Sequence, residues 1–179
     1  QSSLRHLTVK NVIEMVYSGR LNPAPAYGSV SVSARLRRSR DIEMLILGIP
    51  FETLWVEEDA LGETRLLSGF ELVENIRAFI FGEFRLSNLK ILKHLNGFSY
   101  EHLDYAERRH FDEMFLSLNL ISYDSNSLLK CVLVERINQD KYGSDAAQLS
   151  RNIIFPACAE YISNVADDAL MNGSRISTG

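Results

Sequence analysis

Apolar residues recur along this chain at two periods, near 3.6 and near 2, and the switches between them mark the elements that the sequence predicts. Val9, Val12, Ile13 and Val16 share one face of a helix that Thr8 is placed to cap and Gly19 to close. The stretch 22–29 carries two prolines and a glycine and reads as a loop. Val30 and Val32 then alternate with Ser29, Ser31 and Ser33, the period of a short strand.

The most informative pattern lies within 40–81. A helix over 36–47, with Ile42, Leu45 and Ile46 inward, stops at Gly48 with Pro50 two residues on. The stretch 53–57 is rich in β-branched and aromatic residues, Gly62 supplies a turn, and 64–67 is a second apolar run, so the two read as a hairpin. Ser68 then opens a helix with Leu72, Val73, Ile76, Phe79 and Ile80 inward, closed by Gly82. Ser68 and Glu71 have the S-x-x-E spacing of a capping box, in which each side chain satisfies a backbone N–H left over at the helix end.

Beyond this unit, 84–95 fits either period and stays open between strand and helix. Asp104 and Glu107 repeat the capping-box spacing and open a polar helix through Glu113. Leu116, Leu118 and Leu120 alternate with Ser117 and Asn119, as in a half-buried strand. Turn chemistry at 124–127 leads to a helix with Leu129, Val132, Leu133 and Ile137 on its inner face. The stretch 153–172 is interrupted at Pro156 and resumes as a helix, and 173–179 is a polar tail.

Composition narrows the picture further. At 179 residues, with 46% hydrophobic and 23% charged, the chain suits one domain over 1–172. A net charge of −4 argues against whole-surface binding to nucleic acid. The dense basic run is Arg35, Arg37, Arg38 and Arg40, placed at or just before a helix N-terminus, where a phosphate or nucleic-acid contact would relieve the clash with the helix dipole. The structural alternative is a solvated turn with Asp41 and Glu43 as counter-charges.

Cys131 and Cys158 have no C-x-x-C partner, and His6, His94, His102 and His110 lack a ligand spacing, so no metal is expected. No apolar run nears the roughly 20 residues of a membrane span, and no leader pattern opens the chain, so a cytoplasmic location without membrane contact is expected.

Two stretches, 42–56 and 66–79, resemble the N-terminal domain of GmrS/GmrD-type restriction systems, the ParB/sulfiredoxin-like family also called domain of unknown function 262. That family has a helix ending in Gly-Ile-Pro, a strand, and a second strand ending in Asp-Gly-Gln-Gln-Arg that turns straight into a helix. Here Gly48, Ile49 and Pro50 are intact, while the second motif reads Ser68, Gly69, Phe70, Glu71, Leu72. Further on, Arg136 and Asn138 match an Arg-x-Asn helix end, and Arg151 and Asn152 an Arg-Asn pair.

The resemblance implies an α+β fold, a small mixed sheet or partly closed barrel with helices around it. It also implies nucleotide chemistry at the altered motif, with candidates Gly69, Glu71, Arg136, Asn138 and Arg151 toward phosphate and Glu71 or Ser68 toward catalysis. Phe70 and Leu72 cannot hydrogen-bond, and the motif's cation is gone. The leading expectation is therefore a catalytically degenerate module for regulation, sensing or protein interaction in a defence-like or DNA-processing system. It would use no cofactor beyond a weak Mg-NTP contact and would work through a protein partner or a downstream effector domain. Two rivals stand beside it. One is a nucleotide-dependent phosphohydrolase in which Glu71 polarises water and Arg65, Arg77 or Arg136 replaces the lost charge. The other is a nucleic-acid-binding module that uses Arg35 to Arg40.

Overall fold

In a computed structural model of the chain, residues 2–22, 32–122, 124–125, 132–133 and 136–137 are described. The chain clusters into two units, Gln1–Tyr123 and Asp124–Gly179. The described elements fall almost wholly in the first, and the account below concerns that unit unless stated.

Thr8 caps its helix as the spacing predicts. Its hydroxyl oxygen accepts from the N–H of Asn11 at 3.1 Å, α1 runs Val9–Tyr17, and Gly19 takes the left-handed conformation just past its end. The residues before it form β1 (Ser2–Thr8), a strand the apolar pattern does not announce, since Leu4 and Leu7 are its only apolar residues and Leu4 is largely exposed. β2 is the pair Leu21–Asn22.

Next comes α2 (Val32–Ile46), which starts earlier than the apolar stripe suggests. Val32 and Ser33 lie in this helix and not in a strand, a correction with a simple cause. Two valines among serines are a weak β signal, whereas the run that follows is rich in good helix formers and carries the inward stripe Ile42, Leu45 and Ile46. Gly48, at φ 71°, stops the helix where predicted.

β3 (Thr53–Glu58) and β4 (Thr64–Ser68) form the expected antiparallel hairpin, with an irregularity between Trp55 and Val56. α3 (Phe70–Ile80), α4 (Tyr105–Glu113) and β5 (Phe115–Ser122) complete the set. The sheet order is β1-β5-β3-β4-β2. β1 and β5 are antiparallel, β5 and β3 parallel, and β4 and β2 parallel, so the sheet is mixed and the α+β expectation holds. One face of the sheet supplies Leu54, Val56, Leu66, Leu116, Leu118 and Leu120 to a core shared with Val12, Ile42, Leu45, Leu72, Ile76, Phe79 and Phe111 from the four described helices. Alternate burial along β5 follows from the period of the strand.

The stretch 84–95 is neither strand nor helix except for a 3-10 turn at Lys93–Leu95. Phe84, Leu86, Leu89 and Leu95 reach the core at irregular spacing, and this irregularity is why neither period fits. Leu86 and the 97–98 backbone exchange hydrogen bonds at 2.7 and 2.8 Å, while the Leu89 N–H goes to the Asn96 side chain at 3.0 Å. A second 3-10 turn, Tyr100–His102, leads into α4.

Val132, Leu133, Arg136 and Ile137 are helical, in line with part of the helix predicted there. The rest of that helix, the loop from residue 23 on, the helix within 153–172 and the tail at 173–179 lie outside the described residues. Among the described residues no helix is long and apolar enough to cross a membrane.

Candidate functional site

The stretch 68–72 sits where β4 passes into α3, and Gly69 makes the passage in a single residue. Its φ of 93° is left-handed, and a Cβ placed on it would run into the Leu54 side chain from β3. Two separate constraints thus require glycine, one on backbone conformation and one on space. The glycine shared with the family motif is fully accounted for by this turn.

Ser68 does not open the helix. It is the last residue of β4, pairs with Trp55 and is buried, and Gly69 is the N-cap, with no side-chain capping bond. Moving the cap by one residue puts Phe70, Glu71 and Leu72 at the first three helical positions. The position that closes a capping box is then held by Leu72, which cannot accept a hydrogen bond. The box predicted between Ser68 and Glu71 is therefore absent. Glu71 instead accepts from Arg37 of α2 at 3.0 Å, with side chains 20% and 60% exposed respectively. A carboxylate in the first turn also sits favourably against the helix dipole.

The basic run is absorbed into the same seam. Because α2 begins at Val32, Arg37, Arg38 and Arg40 lie in mid-helix and not at its start, so the predicted clash with the dipole does not arise. Arg37 pairs with Glu71, and the Arg38 guanidinium lies 4.2 Å over the Phe84 ring. Arg40 is exposed, and its charge helps to keep the nearby Glu43 carboxylate ionised. The side chain of Arg35 lies outside the described residues.

Three polar residues that sequence reasoning did not single out as site residues hold the seam together. Asn75, buried in α3, donates to Asp41 of α2 at 3.0 Å. The Ser39 hydroxyl oxygen accepts from the N–H of Ser87 at 3.1 Å. Glu43, 2% exposed, accepts from three consecutive backbone N–H groups, those of Lys90, Ile91 and Leu92, at 3.2, 2.7 and 2.8 Å. Burial pushes the Glu43 carboxyl up, but those three donors together with Arg40 outweigh it and hold the group below the ordinary glutamate range. A row of amides that could cradle a phosphate thus holds an internal carboxylate. The signal available in the sequence was an acid inside the Ile42–Ile46 stripe.

Two of the other cations considered for the site, Arg65 and Arg77, are engaged elsewhere. Arg65 bonds Glu57 at 2.7 Å, across the hairpin. Arg77 bonds both Glu74 and Glu83, at 2.7 Å each, and these contacts hold its guanidinium above its ordinary pKa. Arg77 lies six residues beyond Glu71 on one helix, about 9 Å along its axis. Arg136 is helical and exposed, and Asn138 and Arg151 lie outside the described residues.

The geometry therefore brings Glu71 and Arg37 together beside Gly69, adds the Asn75–Asp41 bond between the same two helices, and buries Ser68 at the strand end, while Glu43 ties α2 to the 90–92 backbone. Set against protein-family models, curated proteins and solved structures, the chain has no match.

Proposed function

We propose that this domain is a non-catalytic relative of the ParB/sulfiredoxin-like restriction-system domains, serving regulation, sensing or protein interaction in a defence-like or DNA-processing system. The observation that carries the reading is the state of Glu71: the acid that would polarise water is tied to Arg37 at 3.0 Å. Ser68, the other candidate, is buried at the end of a strand, which supports the same reading. Arg65 and Arg77, which could have replaced the motif's lost cation, are committed to carboxylates.

Phosphate recognition at such a turn draws on charge-assisted hydrogen bonds, about 1.5–3 kcal/mol each. The loss of two would carry a micromolar site to about millimolar or weaker. The test is calorimetric titration with ATP and GTP in the presence of Mg²⁺, together with phosphate release, on the wild type and Glu71→Ala. The expected result is no turnover and no binding tighter than about 1 mM. Micromolar binding, or turnover that Glu71→Ala abolishes, would replace this reading with that of a phosphohydrolase.

A further inference from the structure

The sheet ends at β1 on one side and at β2 on the other. β2 is two residues long, whereas β1 has seven residues and pairs with β5 in unbroken register from Ser2 to Thr8. An open edge of that length is usually blunted by a proline, a bulge or a lysine, because its unpaired backbone is a template for another strand. β1 has none of these, no acid, and a single arginine, Arg5.

One hydrogen bond fixes which backbone groups of that edge are open. The Val9 N–H donates to the Met114 carbonyl at 2.9 Å, one step beyond the Thr8–Phe115 pair and in the same register. Bonded pairs alternate along an antiparallel ladder, so Leu7, Arg5 and Ser3 bond toward β5, while Thr8, His6, Leu4 and Ser2 turn their N–H and C=O groups away from it. Thr8 is the N-cap of α1, and its carbonyl is the acceptor for the first turn of that helix. Ser2, Leu4 and His6 are left with backbone directed out of the sheet. Leu4 and His6 pair with Asn119 and Ser117, so they lie on the face opposite the core leucines of β5, and Leu4 is 59% exposed.

We propose that β1 pairs with β1 of a second copy of this chain, antiparallel about a two-fold axis at Leu4. In that register Leu4 meets Leu4 and Ser2 meets His6, so only the open groups are used, in about six interchain bonds. Arg5 falls opposite Ser3, and two leucines otherwise exposed to water come together on one face. The neighbouring registers are worse. A two-fold at Arg5 sets two guanidinium groups directly opposite each other, and one at His6 draws on Thr8, whose carbonyl serves α1. The strand is thus complementary to itself in hydrogen bonding, charge and apolar contact at once, and this selects a second copy as the occupant. Two five-stranded sheets would become one continuous sheet. β1 lies three strands from β4, so the proposal stands whether or not the reading of Glu71 does.

The experiment is sedimentation equilibrium of the 179-residue chain from about 1 µM to about 1 mM. The expected result is a monomer–dimer equilibrium with a dissociation constant of about 1–100 µM. Leu4→Pro removes an N–H that points out of the sheet, a place where an edge strand tolerates proline, and should raise that constant at least about tenfold at an unchanged urea midpoint. Leu4→Lys sets like charges at the axis and should do the same, which keeps the test sound if the proline variant disturbs folding. Arg5→Ser should leave the constant unchanged, whereas a tighter dimer would mean a two-fold at Arg5 and overturn the register. Leu4→Cys, combined with Cys131→Ser and Cys158→Ser, should link into a dimer on oxidation, because bonded pairs lie about 5.5 Å apart at Cα. Arg5→Cys in the same background should not. A chain that stays monomeric at about 1 mM, or a dimer that both Leu4 variants leave intact, overturns the proposal, and the first result leaves the edge to a strand of another protein.

Discussion

Two helices of this domain begin with the same four-residue spacing and start in different ways. At α4, Asp104 has extended backbone, accepts from the N–H of Glu107 at 2.8 Å, and has its own N–H bound by the Glu107 carboxylate at 3.0 Å. At α3, Ser68 and Glu71 form no such pair, and a left-handed glycine takes the cap. The difference lies in what precedes each helix. α4 is entered from a short 3-10 turn, which leaves Asp104 free to turn its side chain over the helix end. α3 is entered straight from a strand whose last residue is pinned opposite Trp55. Pairing alone does not forbid a cap, since Thr8 is paired with Phe115 at the end of β1 and still caps α1; at α3, however, Ser68 is buried and the left-handed Gly69 stands between it and the first helical residue. Spacing proposes a cap, and the backbone at the junction decides it.

The strongest way to break this comparison is to deny α3 its glycine. A left-handed backbone costs an L-residue about 1–2 kcal/mol, and overpacking a core contact typically adds about 1–3 kcal/mol. Gly69→Ala is therefore expected to destabilise the domain by roughly 2–5 kcal/mol, measured as a shift of the urea midpoint at constant slope. A double-mutant cycle with Leu54→Ala separates the two costs, because only the contact part is relieved when the Leu54 side chain is shortened. A loss below about 0.5 kcal/mol would mean that the chain can enter α3 in another way.

Glu43 extends the contrast to a residue whose role is set entirely from a distance. Replacing its carboxylate by an amide in Glu43→Gln weakens charge-assisted bonds from Lys90, Ile91 and Leu92. About 1.5–3 kcal/mol should be lost near neutral pH. Because the folded-state pKa is depressed, folding favours the ionised form. Its contribution is fully present above the ordinary glutamate pKa of about 4.3 and fades as the pH falls through the lower folded value. Urea unfolding of both proteins from about pH 7 down to about pH 3 should show the wild type and the variant converging at the acid end. A difference that stays constant with pH would assign Glu43 a packing role only.

Much of the fold was legible because it is periodic. The stripes of α1, α2 and α3, the capping box of α4, the hairpin of β3 and β4, and the alternation of β5 all follow from spacing within a few residues. β1 was not legible, since an edge strand with one exposed and one part-buried leucine shows little alternation and owes its place to β5, more than 100 residues away. The site was legible at Gly69 and Glu71 but not in their partners. The Arg37–Glu71 and Asp41–Asn75 contacts each span 34 residues, and those of Glu43 span 47 to 49. No local pattern encodes which acid meets which base across such an interval. The position of the cap was misread because the turn at Gly69 is fitted against Leu54 of a neighbouring strand, which no local spacing shows.

The mildest test compares the two apparent caps directly. Asp104→Ala removes a side chain that satisfies an orphan N–H of α4 and frees Glu107 from the reciprocal bond, so it should cost about 1 kcal/mol. Ser68→Ala removes a hydroxyl that caps nothing, from a buried strand end where a methyl group fits with almost no change in volume. Its cost should stay within about 0.5 kcal/mol, with either sign allowed, since losing a buried hydroxyl also removes a desolvation penalty. Both values come from the same urea titration, which makes their ratio more secure than either alone. Were Ser68→Ala to cost as much as Asp104→Ala, Ser68 would be capping α3 after all, as the strand-end residue Thr8 caps α1. The left-handed Gly69 would then not fix the start of α3, and local spacing would decide where that helix begins.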